Sequence, residues 1–153
     1  MDLANAVAAV RQFHVRMNAP RADTPTLLPC DVHDAIEFSS LLAEFADEAR
    51  NRGHATSDVL LLRTAMAMEE LAEWLAAHAE GDLIEVADAW ADRAYVLIGD
   101  AVATGLPATA LFAEVHRSNM TKEPDPLGTG KAIKGTGYSP PDINGVLRSH
   151  EAD

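Results

Sequence analysis

The sequence predicts an all-α helical bundle of about five helices, followed by a loop-rich C-terminal arm. Aromatic residues make up only 5% of the chain, whereas alanine and leucine are abundant, and this composition favours helix over sheet. Apolar residues also recur every three or four positions in successive segments that are bounded by capping residues. The apolar fraction of 48% is sufficient for a folded core.

The length and charge of the chain limit its organisation and its partners. A chain of 153 residues suits one domain, covering 1–153. The net charge of −12 argues against binding nucleic acid or an anionic membrane, but it allows a nucleotide substrate whose phosphates are neutralised locally. The single cysteine, Cys30, permits no internal disulfide and is typical of the cytoplasm. Neither a secretory signal nor an apolar run of about 18 residues is found, so we expect no membrane span.

The first two helices are predicted from apolar spacing and boundary residues. Residues 3–17 form an amphipathic helix, and the proline-containing segment 18–31 forms a loop. Asp31 or Asp34 caps a second helix that ends near Gly53. This helix carries mixed acidic and basic residues on its outer side, which is typical of a peripheral helix.

Three further helices are predicted, each with a recognisable boundary residue. The third begins at a cap at Asp58 or at one of the two residues before it, and residues 59–68 are apolar on nearly all sides, which predicts deep burial. Asp82 caps the fourth helix, and a proline begins the fifth. Residues 123–153 contain many prolines and glycines without periodicity and form the arm. The predicted bounds of the three helices are 58–79, 82–104 and 107–120.

Two groups of carboxylates lie on the third and fourth helices, and each group covers roughly one third of its helix. Neither group contains a lysine, so the like charges repel one another by a few tenths of a kcal/mol per pair. A divalent cation such as Mg²⁺, which prefers carboxylate oxygens, would relieve this repulsion. Two solvated acidic faces are the alternative interpretation. The groups are Glu69, Glu70 and Glu73, and Glu85, Asp88 and Asp92.

The motifs that carry these residues resemble a known family when they are taken in order. The chain has Glu-Glu-x-x-Glu, Glu-x-x-Asp and Asp-x-x-Tyr motifs, then segment 112–122 and the arm segment 130–143. This order resembles the all-α nucleoside triphosphate pyrophosphohydrolases of the MazG-like superfamily. Segment 130–143 is similar to the phosphoribosyl-ATP pyrophosphohydrolase-like branch. The resemblance extends from about Asp58 to Val146, and relative to it residues 31–53 form an added helix.

The resemblance implies a metal-dependent enzyme that cleaves a nucleoside triphosphate to the monophosphate and pyrophosphate, using Mg²⁺ or Mn²⁺. Its substrate would be dUTP or a non-canonical nucleotide of the cellular pool. Glu69, crowded by its neighbours, would have a raised pKa and would orient or deprotonate the attacking water. The second pair of ligands is either Glu85 with Asp88 or Asp88 with Asp92, and we favour the latter. The implied metal ligands are Glu70, Glu73, Asp88 and Asp92.

Basic and amide groups gather at the end of the fifth helix and in the arm. On the residues alone, they either complement the helix dipole or neutralise phosphate oxygens. The resemblance favours substrate binding, with Tyr138 closing over the nucleotide. The predicted substrate-binding residues are Asn119, Lys122, Lys131, Lys134 and Tyr138.

Two other functions also match the sequence. One is a phosphoribosyl-ATP pyrophosphohydrolase of histidine biosynthesis, which shares the chemistry and differs in the nucleotide pocket. The other is a non-catalytic helical module whose acidic faces bind a basic partner. In each case we expect a homodimer or a dimer of dimers, because helices with two functional faces need more packing partners than one small subunit provides.

Overall fold

The computed structural model describes residues 2–126 and 131–151, and the regular secondary structure within these ranges is helical, apart from one isolated β-bridge. The all-α prediction is confirmed. Two glycines of the predicted arm, Gly128 and Gly130, lie outside the described residues. The helices are α1 (Leu3–Met17), α2 (Val32–Thr56), α3 (Val59–Glu80), α4 (Leu83–Thr104), α5 (Ala108–Asn119) and α6 (Ile143–Glu151).

Side-chain caps fix the beginnings of the helices. The Asp58 carboxylate accepts from the Leu61 amide at 3.0 Å, and Asp82 accepts from the Ile84 amide at 2.9 Å. For α2 the cap is Asp31, which accepts from the Asp34 amide at 3.1 Å. Because each cap satisfies an amide that has no partner within the helix, these aspartates decide where the helices begin.

The predicted end of α2 at Gly53 is wrong, because this glycine has a packing role inside the helix. A Cβ atom at Gly53 would lie 2.8 Å from two side-chain carbons of Leu62 on α3. The helix continues to Thr56 and ends at Ser57, which adopts the left-handed conformation with φ 57°. Glycine here permits a close approach of two helices. In a sequence, such a glycine cannot be distinguished from one that ends a helix.

The loop prediction for the arm is also wrong in part, since α6 lies within it. Asp142 caps this helix by accepting from the Gly145 amide at 2.8 Å. The helix has only nine residues, and its Asn-Gly dipeptide is more typical of a turn. A periodic pattern of this length is therefore hard to recognise.

The helices are divided between two compact units. One contains α1, α5 and α6, with α5 packing against each of the other two. The other, Thr24–Thr104, contains α2, α3 and α4, and α3 packs along both neighbours. The buried apolar side chains of this second unit are mostly alanines, which allow close contact between helices: Ala35, Ala46, Ala65, Ala72, Ala77, Val86 and Ala89.

The predicted deep burial of residues 59–68 is wrong. Val59 is 65% exposed and Leu60 is 75% exposed, although both belong to the apolar first half of α3. The reason is that α3 packs against two helices in its unit, so part of its circumference remains uncovered. By contrast α2, expected to be peripheral, packs along α3, and the Ser39 hydroxyl donates to the Ala72 carbonyl at 2.8 Å.

Among the described residues, no single helix is long and apolar enough to cross a membrane. Within the part of the chain that the structure describes, one pair of helices, α4 and α5, reaches the required length and composition when taken together, but the two are sharply bent at the break between them.

Candidate metal centre

The hairpin of α3 and α4 positions the predicted metal ligands. Near its open end, Arg63 on α3 forms an ion pair with Asp100 and donates to the Val96 carbonyl at 3.0 Å. Gly99 makes room for this guanidinium, because a Cβ atom there would lie 2.7 Å from the Arg63 Nη2. These contacts connect α3 to α4 and fix their register.

The carboxyl group of Glu70 is the centre of an acidic cluster. Burial raises the pKa of Glu70, and repulsion from Glu73, Asp92, Glu69 and Asp88 raises it further, in that order. Its Oε2 atom is buried and has no hydrogen-bond partner among the described residues. Four predicted site residues therefore act electrostatically on a fifth, Glu70, and we call the five the carboxylate cluster: Glu69, Glu70, Glu73, Asp88 and Asp92.

The causes of the raised pKa of Glu70 also bear on which two acids of α4 are the second pair of metal ligands. The α4 residues that act on the pKa of Glu70 are Asp92 and Asp88, and the causes do not include Glu85. Ala89, which occupies the position three before Asp92, is only 4% exposed and belongs to the core. An acid at that position would be buried against α3, whereas Asp88 lies at the surface. This geometry favours Asp88 with Asp92 over Glu85 with Asp88.

A basic residue that the sequence analysis did not select lies against this cluster. Arg50 on α2 forms an ion pair with Glu69 on α3, and its Nη1 atom donates to Asp47 at 2.6 Å. The hydrogen bond to Glu69 raises the pKa of Arg50, and Asp47 raises it further, although burial opposes both. We expected the charged residues of α2 to face outward, and for Arg50 this is wrong.

Glu69 and Glu70, which are adjacent on α3, have different surroundings. The carboxyl group with the raised pKa is that of Glu70, the next residue, and Glu69 instead has a guanidinium partner. Sequence spacing places both acids within one third of the circumference of α3 and does not show which of them meets an arginine from α2.

Aromatic side chains next to the carboxylates connect the two helices. The guanidinium of Arg93 on α4 lies 4.8 Å from the centroid of the Trp74 ring on α3, which is a cation–π contact. His78 contacts the same indole edge-on, with ring centroids 4.4 Å apart, and its Nδ1 donates to the Trp74 carbonyl at 2.8 Å. Since Trp74 follows Glu73 and Arg93 follows Asp92, this contact helps to fix the spacing of the cluster.

The donor atoms of the cluster suit a hard divalent cation. All five residues offer carboxylate oxygens, and the Oε2 atom of Glu70 is a buried acceptor without a donor among the described residues. Within 2–126 and 131–151, no three acidic, histidine or cysteine side chains are already close enough to hold an ion. Like charges repel, so ligation requires side-chain rotation in Glu73, Asp88 and Asp92, which are exposed and able to rotate.

The predicted substrate-binding residues lie in the other unit, at the end of α5 and in the arm. An antiparallel bridge between Glu123 and Ile133 places Lys122 opposite Lys134. The Lys134 ammonium lies 5.0 Å from the centroid of the Tyr138 ring. These three residues are thus brought together, and Asn119 is the last residue of α5, where its carbonyl accepts from the Lys122 amide. Lys131 is exposed. Their role in substrate binding stays a prediction.

The arm is attached to α5 by a network around Arg117. This guanidinium donates twice to Glu114 and also to the Ser139 hydroxyl and the Pro140 carbonyl. The Glu114 carboxylate also accepts from the Asp142 amide at 2.7 Å. These bonds lower the pKa of Glu114 from 4.5 to about 2. Ionised Glu114 therefore holds both the arm and the first turn of α6.

Neutralising Glu114 should weaken this attachment in a pH-dependent way. Because its pKa is lowered in the folded state, the ionised carboxyl contributes stability above pH 4.5, and that contribution is lost as the pH falls towards 2. We expect Glu114→Gln to unfold at a lower temperature than wild type at pH 6, and the difference to shrink at pH 3. Glu44→Gln, at an exposed position on α2, is the control. A difference that stays constant with pH would contradict this role.

Comparison with known proteins gives one match. A family model described as phosphoribosyl-ATP pyrophosphohydrolase matches residues 35–119, which include α3, α4 and the whole carboxylate cluster. The match begins inside α2, so most of the segment interpreted as an added helix lies within the matched region. No curated protein and no solved structure matches the chain significantly.

Proposed function

Because this chain belongs to the phosphoribosyl-ATP pyrophosphohydrolase family, within the MazG-like all-α superfamily, we propose that it cleaves a nucleoside triphosphate to the monophosphate and pyrophosphate. The family consists of pyrophosphohydrolases, a class of hydrolase. The observation that carries the proposal is the buried Oε2 atom of Glu70, which has no hydrogen-bond partner among the described residues and whose carboxyl group is repelled by four other carboxylates. A structural helix surface does not need such a concentration of acidic groups, of which only Glu69 has a basic partner among the described residues.

The proposed cofactor is Mg²⁺, with Mn²⁺ as a substitute, and Glu70, Glu73, Asp88 and Asp92 would hold it. When bound, the ion supplies charge neutralisation for the phosphate oxygens and lowers the pKa of a coordinated water. Support comes from the oxygen-only donor set and from the buried Oε2 atom of Glu70, which has no donor among the described residues.

The proposed reaction is an in-line displacement at the α-phosphorus. The water oxygen forms a bond to that phosphorus, the bond to the bridging oxygen breaks, and pyrophosphate leaves with the electron pair. Glu69 orients the water and accepts its proton. This role requires Glu69 to part from Arg50, its ion-pair partner on α2.

The substrate distinguishes this proposal from its closest alternative. The family description favours phosphoribosyl-ATP as a second candidate, since the cleaved bond has the same chemistry. We propose incubating the protein with Mg²⁺ and a panel that contains canonical dNTPs, dUTP, a damaged nucleotide and phosphoribosyl-ATP. Pyrophosphate release from a triphosphate supports the proposal, and release from phosphoribosyl-ATP alone supports the second candidate. Orthophosphate as the product contradicts both. If no product forms and Mg²⁺ does not change the melting temperature, a binding module remains.

The proposed assembly is a homodimer or a dimer of dimers. Along one face of α4, four large apolar residues are exposed at helical spacing, and Tyr95 is 80% exposed. An uncovered face of this kind is typical of an interface between subunits. The four residues are Ile84, Tyr95, Ile98 and Val102.

Light scattering checks this assembly. We expect a mass of at least twice the 16.4 kDa of one chain, and we expect Val102→Asp to return the protein to a single chain. Ala103→Asp, an exposed position next to the apolar face on the same helix, should keep the assembly. A wild-type mass of one chain would contradict the proposal.

A further inference from the structure

Arg50 is the one basic side chain that the structure pairs with the carboxylate cluster within residues 2–126 and 131–151. It reaches across from α2 to Glu69 on α3, whereas Arg52, two residues later, pairs with Glu48 on its own helix. The two arginines thus have the same charge and the same parent helix, and only Arg50 contacts the candidate site.

The contact between Arg50 and Glu69 is suited to exchange. The side chains are 31% and 40% exposed overall, although the Arg50 Nη2 atom that faces Glu69 is itself buried, and partly exposed ion pairs contribute little net stability. A divalent cation bound by several carboxylates attracts Glu69 more strongly than one guanidinium does. Breaking the pair therefore costs little compared with the attraction that replaces it.

Asp47 gives the guanidinium a second partner on the same helix. Its Oδ1 atom accepts from Arg50 Nη1 at 2.6 Å, three residues away along α2. If Glu69 turns towards a cation, Arg50 remains held close to the site by Asp47, with its Nη2 atom released. A guanidinium in this position is a good donor to phosphate, which it binds through two parallel N–H groups or through one.

We propose that Arg50 is an exchangeable counter-ion of the site, which passes from Glu69 to a phosphate oxygen of the substrate when a divalent cation binds. This inference rests on the proposed function. Arg50 is a positioning residue for Glu69, because its departure makes that carboxylate available to orient water. Arg50 also couples cation binding to triphosphate binding, since cation binding releases the guanidinium that then donates to the phosphate.

The exchange predicts opposite effects of one substitution on two ligands. In Arg50→Gln the cation no longer competes with a guanidinium, so we expect Mn²⁺ to bind about three- to tenfold more tightly in isothermal titration calorimetry without nucleotide. The same variant lacks a phosphate donor, so we expect the KM for the triphosphate to rise about tenfold or more. Arg50→Lys, which keeps the charge without the planar guanidinium, should recover part of the KM.

The matched control is Arg52→Gln, which makes the same charge change on the same helix away from the cluster. We expect both constants of this control to stay within about twofold of wild type. If Arg50→Gln binds Mn²⁺ no more tightly than Arg52→Gln, or if it weakens the binding of both ligands, the exchange is wrong and the ion pair is structural. Melting curves identify a variant that fails to fold. If Arg50→Gln does not fold, Arg50→Lys provides the test. We expect Arg50→Lys to bind Mn²⁺ with nearly wild-type affinity and to have a higher KM than wild type.

The outcome for wild type separates this inference from the proposed function. If wild type binds no Mn²⁺ and hydrolyses no nucleotide, the proposed function fails. If wild type binds the ion and releases pyrophosphate while Arg50→Gln behaves like its control, only the exchange fails.

Discussion

Replacing Glu73 with glutamine should leave the helices intact and reduce Mg²⁺-dependent pyrophosphate release by about a hundredfold or more. Glu73 is exposed, so the fold does not depend on its charge. Of the four carboxylates that raise the pKa of Glu70, Glu73 has the largest effect, which makes it a strongly coupled member of the cluster. The amide keeps the shape of the side chain and removes the anionic oxygens that a hard cation prefers.

The measurement is kcat/KM for the best nucleotide of the panel, with circular dichroism as the check on folding. Glu80→Gln is the matched control, because Glu80 lies two turns further along the same face of α3 and is exposed outside the cluster. We expect it to keep activity within about twofold. Wild-type turnover in Glu73→Gln would remove the carboxylate cluster as the catalytic site.

The second large effect is expected at Glu70, where one substitution should change stability in opposite directions with and without the cation. The raised pKa means that the folded state holds this proton more tightly than the unfolded chain. Stability therefore falls as the pH rises above 4.5 and through the folded pKa. Without cation, Glu70→Gln should raise the free energy of unfolding by about 0.5–1 kcal/mol, a modest value because solvent screens the group.

With saturating Mg²⁺, we expect wild type to have a higher free energy of unfolding than Glu70→Gln. A ligand at a hundred times its Kd stabilises the folded state by about 2.7 kcal/mol, and Glu70→Gln should lose most of this gain. Chemical denaturation with and without 10 mM EDTA, a roughly saturating chelator concentration, measures both effects. Glu85→Gln is the comparison, and we expect it to retain the Mg²⁺ effect because the proposed ligands on α4 are Asp88 and Asp92. An unchanged Mg²⁺ effect in Glu70→Gln would contradict its role as a ligand.

The sequence is sufficient to predict a helix boundary wherever a side chain at that boundary caps the helix. Asp58 and Asp82 cap α3 and α4 through their own carboxylates, and this chemistry is local. Gly53 shows the limit, because its place inside α2 depends on Leu62 of another helix. The short α6 was missed for a related reason, since its attachment depends on Glu114 of α5.

The candidate site is partly predictable from the sequence, because helical periodicity, like capping, is a local property of the chain. Periodicity places Glu69, Glu70 and Glu73 on one face of α3, and the structure brings that face together with Asp88 and Asp92 of α4. Periodicity does not indicate which residue of a distant helix arrives at the same point. Spacing alone therefore predicts neither the partner of Glu69 nor the burial of one Glu70 oxygen.

The alanine contacts between the helices of Thr24–Thr104 have a consequence for ion selectivity. Ala72 and Ala89, on α3 and α4, are buried, and side chains of this size keep neighbouring helix axes at short separation. Magnesium requires oxygens at about 2.1 Å in a compact octahedron, whereas calcium accepts longer and less regular coordination. We therefore expect the width of the helix contact, a property of the core, to favour the smaller alkaline-earth ion.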